Sequence, residues 1–176
     1  MCSGSDSSYR NRNQMPRPKL TRLAPSAEGQ GRIRIVISLP QPEDLTSLVL
    51  RTDFTNDTAW ASVKAALRTW KGADAATFVS DPTYAGVSPQ ELVDADNAAS
   101  NDDKLTYLFL ADATTMADVE RPLLALDLAD EPGRTFRVPP RWYADVSTNL
   151  AIANMDFSEF ADAVDESGTY RGFNGD

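Results

Sequence analysis

The chain contains no histidine and a single cysteine, Cys2. Without histidine there is no Ser-His-Asp or Cys-His nucleophile arrangement and no imidazole metal ligand. Catalysis here would have to rest on carboxylates, lysine, tyrosine, or a hard cation such as Mg²⁺ held through oxygen. One cysteine excludes an internal disulfide and suits a reducing compartment. No apolar run approaches the roughly 20 residues that span a bilayer. The opening stretch, MCSGSDSSYRNRNQ, lacks the apolar segment of a signal peptide. The expectation is a cytoplasmic protein with no membrane partner. Phosphate-cradling motifs are missing too: there is no G-x-x-x-x-G-K-[ST], and EGQG at 28–31 lies outside any strand-to-helix turn. No G-x-S-x-G nucleophile elbow occurs.

What is present fits one domain. The chain has 176 residues, 41% hydrophobic and 24% charged, enough for a single core. Charge is divided unevenly. Residues 1–40 carry Arg10, Arg12, Arg17, Lys19, Arg22, Arg32 and Arg34 against Asp6 and Glu28, a net of +5. The remainder is −14, giving −9 for the whole chain. A body of that sign repels nucleic-acid phosphate and anionic membranes. The leader's cations are dispersed, with no interleaved aromatics, so specific nucleic-acid binding is not expected.

Composition divides the chain into a disordered basic leader, 1–44, with a possible edge strand at 32–39, and a single α/β domain, 45–176. Within the domain, apolar runs and amphipathic stretches alternate. Strands are expected at SLVLRTDF (47–54), ATFVSD (76–81), YLFLAD (107–112) and LLALDL (123–128). RTFRVPP (134–140) reads as a fifth strand or a hairpin partner of the fourth. Helices are expected over 55–70, with Asn56 or Asp57 as N-cap and Gly72 as stop, and over 88–99, where Ser88, Pro89 and Glu91 make a capping box. A short helical or irregular link covers 113–122. RWYADVSTN reads as a helical turn, NLAIANM (149–155) as a short strand, and 156–167 as a closing helix ended by Gly168. This alternation predicts an α/β layered sandwich with a mainly parallel central sheet of about five strands, with room for an antiparallel edge.

Ligands of open parallel sheets bind beyond the carboxyl ends of the strands. Asp53, Asp81 and Asp112 all stand there, and Asp127 lies one residue before its strand's end. Asp53 and Asp112 are the candidate catalytic carboxylates. With Asp81 they are the candidate ligands of a Mg²⁺ ion, the only cofactor considered. The plainer reading competes: aspartate is common at strand ends because its side chain accepts bonds from nearby backbone N–H groups. The D-x-D spacing that places two ligands together is absent. Arg51 and Asp53, two apart on a strand, share a face as either an anion-binding group or an ion pair. Trp142 and Tyr143, beside two prolines, are either a partner patch or aromatics closing the domain edge.

LVLRTDFTNDTAW, TFVSDPTYAGVSPQELV, YLFLADATTM, PLLALDLADEPGRTFRVPP and NLAIANMDFSEFADAVDESGTYRGF together resemble an uncharacterised bacterial family, DUF6924, frequent in actinobacteria. The likeness spans about residues 47–173. It implies a self-contained module and assigns no substrate, cofactor or catalytic residue. Two functional expectations follow. One is a non-catalytic, acidic, cytoplasmic interaction module, immunity-like or regulatory, with a basic protein partner. The other is a Mg²⁺-dependent hydrolase of phosphoesters or nucleotides built on the strand-end aspartates.

Overall fold

The computed structural model describes residues 37–69 and 76–173. Residues 1–36 of the basic leader, with most of the strand expected at 32–39, and the stop at Gly72 lie outside these residues. Five strands form one sheet in the order β2-β1-β3-β4-β5. They are β1 (Ser47–Arg51), β2 (Ala76–Val79), β3 (Tyr107–Ala111), β4 (Leu123–Asp127) and β5 (Thr135–Val138). Helix α1 (Asp57–Thr69) links β1 to β2, and α2 (Pro89–Ala98) links β2 to β3. A short α3 (Ala113–Ala117) precedes β4, while α4 (Pro140–Ala151) and α5 (Phe157–Asp162) follow β5.

Alternation along the strands divides the core in two. Val49, Phe109, Ala125 and Phe136 face α1, α4 and α5, against Trp60, Val63, Val146 and Phe160. Leu48, Leu50, Leu108 and Leu126 face the other way, against Leu92 and Val93 of α2. Leu48, Val49 and Leu50 are all at most 1% exposed, the continuous burial expected of a strand covered on both faces. Ile37 and Leu39 pack on the α2 side, and the Tyr84 hydroxyl donates to the Ser38 carbonyl. Residues 37–39 are irregular rather than strand.

The sheet is mixed, not mainly parallel. β1 runs parallel to β2 and β3, but β3–β4 and β4–β5 are antiparallel. The reason is length. A parallel crossover needs a dozen or more residues, and the link carrying α3 is too short to cover a sheet face. The next turn closes as a hairpin: Asp127 accepts from the Ala129 and Glu131 amides, and Gly133 takes φ +96.

Helix starts follow the expected caps. Asn56 accepts from the Ala59 amide, and Ser88 with Glu91 forms the reciprocal capping box. The expected strand at 149–155 is instead the end of α4 and the turn after it. Tyr143, Val146, Ser147 and Leu150 recur at helical spacing, and Pro140 suits the first turn. α5 ends at Asp162, well before Gly168. Asp165 accepts from the Ser167 and Thr169 amides and turns the chain, so that Tyr170 bridges back to Val164.

One polar chain crosses this core. Ser47 Oγ lies 2.8 Å from the Tyr107 hydroxyl and 2.7 Å from Ser147 Oγ, tying β1 to β3 and α4. Ser47→Ala removes a partner from both the Tyr107 and the Ser147 hydroxyls. It is expected to lower unfolding stability by about 1–3 kcal/mol in urea titration. Ser47→Ala with Ser147→Ala should cost clearly less than the two single losses added.

Candidate functional site

The order β2-β1-β3 places a topological switch between β1 and β3, the point where an open α/β sheet offers a ligand crevice. Here the backbone pairing of β1 and β3 continues past the strands. The Thr52 and Asp53 amides both donate to the Ala111 carbonyl, at 3.0 and 3.3 Å, and the Gly86 amide donates to Thr52 at 2.8 Å. Arg51 fills the space below. It is 3% exposed, and its guanidinium sits 4.5 Å from the Phe54 ring centre. Its Nε donates to the Asp53 carbonyl, and Nη2 lies 2.8 Å from the Asp57 carboxylate. Arg51 is therefore neither a free anion group nor paired with the Asp53 side chain.

Each aspartate of this rim is engaged locally. Asp53 accepts from the amide and hydroxyl of Thr55. Asp81 caps the single turn Pro82–Tyr84 through the amide and hydroxyl of Thr83, which hold its carboxyl below the usual range. Asp112 caps α3 through the Thr115 amide and hydroxyl. It also takes a bidentate contact from Arg137, at 2.8 and 2.7 Å. Burial alone would raise the Asp112 carboxyl; the hydrogen bonds from Arg137 and Thr115, with the guanidinium charge, outweigh it and hold the group below the usual value. Asp127 is at the opposite edge, because β4 is antiparallel and pairs it with Tyr107 at the start of β3. Among the described residues no three Asp, Glu, Cys or His side chains gather closely enough to hold a metal ion.

Sequence reasoning did not find Arg137. Its only trace is its alternate place in TFRV between the buried Phe136 and Val138. Its partner Asp112 lies 25 residues earlier, and no local spacing links them.

The profile of DUF6924, a domain of unknown function, matches residues 46–173. The chain belongs to that family. The match spans every element from β1 to the residues after α5, so the rim just described is part of the DUF6924 domain. No curated protein matches the chain.

The aromatic pair of this DUF6924 domain is not a surface patch. Tyr143 is 1% exposed and stands 4.9 Å from Phe109 in the core. Burial, against a hydrogen bond with Ser147, pushes its phenol far above the ordinary value. Trp142 is half-buried and meets Tyr170 edge to face. A Cβ at Gly172 would come within 2.8 Å of the Trp142 ring, so glycine is required there. No described helix is long and apolar enough to cross a membrane.

Two predictions follow from this rim. The Asp112 carboxyl is lowered on folding, so its contribution is present above the unfolded value of about 3.9 and is lost as pH falls through the lower folded value. Asp112→Asn should cost about 1–3 kcal/mol at pH 7. In urea unfolding from neutral pH to pH about 2.5, the gap between wild type and variant should narrow as acid is added. A constant gap would refute the linkage. Secondly, calorimetric titration with Mg²⁺ should show no saturable micromolar binding, since the Asp112 oxygens are already committed. Binding that disappears in Asp53→Asn would restore the metal site.

Proposed function

We propose that this DUF6924 protein is a non-catalytic, cytoplasmic interaction module, regulatory or immunity-like, that takes a basic protein partner. The observation that carries this reading is the disposal of charge. Most described cations of the domain are drawn into contacts within it, Lys104 being exposed. Arg51 meets Asp57, Arg134 meets Glu131 and Asp162, Arg137 meets Asp112, and Arg171 meets Glu120 and Asp165. The Arg121 guanidinium donates to the Met116 and Asp118 carbonyls. Lys64, Arg68 and Arg141 lie against the rings of Trp60, Phe78 and Trp142.

Carboxylates are in excess and face outward. Glu43, Asp44, Asp94, Asp102, Asp130 and Glu166 are exposed, with no ion pair to a described cation. A surface of this kind draws a basic partner in quickly and disfavours acidic ones. The strand-end aspartates, each tied to backbone or to Arg137, support the binding reading over the hydrolytic one.

The test uses two fluorescent amphipathic peptides, one of lysine and leucine, one of glutamate and leucine. The full chain should bind the basic peptide with one-to-one saturation, weakening as salt rises from about 50 to about 300 mM. The acidic peptide should not bind. Equal binding of both peptides, or of neither, would overturn the reading.

A further inference from the structure

We propose that the basic partner seats at the amino edge of the sheet, with a lysine or arginine side chain entering a cleft beside Leu45. The inference rests on the reading above that the partner is basic. The cleft, of about 280 Å³, opens where β1 and β3 begin, at the end of the sheet opposite the aspartate rim.

Its walls are sorted by chemistry. Glu43 and Asp44 form an acidic lip, Ser47 and Tyr107 also line the cleft, and Leu45 and Leu150 supply apolar sides. A long cationic side chain matches this: its methylene stem lies against the leucines while its head reaches the carboxylates. Neither carboxylate is paired with a described cation.

Leu45 makes the lip an interaction surface. It is 79% exposed and held at φ +60, a conformation costly for a leucine. The turn carrying it is pinned: the Thr46 amide and hydroxyl donate to the Glu43 carbonyl, and the Glu43 amide donates to Thr77 on β2. On the far side α4 ends at Ala151, also in the lining, and the next residue, Ile152, is 58% exposed. Leu45 thus sets an exposed large apolar side chain in the wall of an acidic cleft.

A second cleft, about 460 Å³ beside Val119, sets Arg121 and Arg141 against the single carboxylate of Glu120, a balance that suits a cation less well.

The experiment titrates the isotope-labelled full chain with the lysine–leucine peptide and reads backbone amide shifts and affinity. The expected shifts concentrate in 43–48, 105–107 and 150–152. Glu43→Lys with Asp44→Lys should weaken binding about tenfold or more, as removal of a charge pair at an interface does. The control, Asp94→Lys with Asp130→Lys, changes net charge equally and should weaken it only about twofold. Leu45→Gly should weaken binding about threefold without lowering the thermal midpoint, since glycine adopts the left-handed backbone freely. Equal weakening by the two double variants, with scattered shifts, would overturn the site while the basic-partner reading stands. The same shifts produced by concentrating the chain alone would assign the cleft to a second copy and overturn the proposal. No binding to the unaltered chain at about 50 mM salt would remove both readings.

Discussion

Arg137 reaches Asp112 through two contacts of 2.8 and 2.7 Å, while its backbone amide donates to Gly168 and its carbonyl accepts from Tyr170. One residue of β5 therefore grips the start of α3 on one side and the chain after α5 on the other. The ion pair is only about one-fifth exposed on each side chain, so solvent screens it less than a surface pair. The aromatic cluster depends on the same alignment. Phe136, the neighbour of Arg137, meets Phe157, Phe160 and Tyr170, and Tyr170 in turn meets Trp142.

The Arg137–Asp112 pair lies at the edge of the sheet where α/β folds usually work. The carboxyl ends of β1 and β3 are joined by backbone hydrogen bonds, Arg51 occupies the space beneath, and the aspartates serve as caps. The amino edge is built differently. There Ser47 and Ser147 are buried, Tyr107 is half-buried, and carboxylates with an exposed leucine stand outside. The two ends of one sheet thus divide into a structural end and an accessible one.

Much of the fold was legible because it is encoded locally. Caps at Asn56 and Ser88 sit within three residues of their partners, and apolar runs mark all five strands. Strand direction was not legible, because it depends on how far a link can reach across a sheet face, not on the strand's own residues. That error moved Asp127 to the wrong edge of the sheet. α4 was misread in part because NLAIANM is apolar in either periodicity; the deciding residues, Tyr143 and Val146, lie upstream of it. At the aspartate rim, sequence supplied the carboxylates but not their partners. Thr55, Thr83 and Thr115 follow within three residues, a repeated D-x-T or D-x-x-T spacing that points to capping, whereas Arg137 joins only through the tertiary fold.

The parallel bridge between Arg137 and Thr169 also bears on the order in which the molecule is completed. β5 is the last strand of the sheet, and part of its outer edge is covered by residues made more than thirty positions later. During synthesis, therefore, all five strands can associate while that edge still shows unpaired backbone groups. Phe136 and Phe160 lack their Tyr170 neighbour over the same interval. Emergence of Thr169 and Tyr170 covers that part of the edge, where incomplete chains are open to edge-to-edge association.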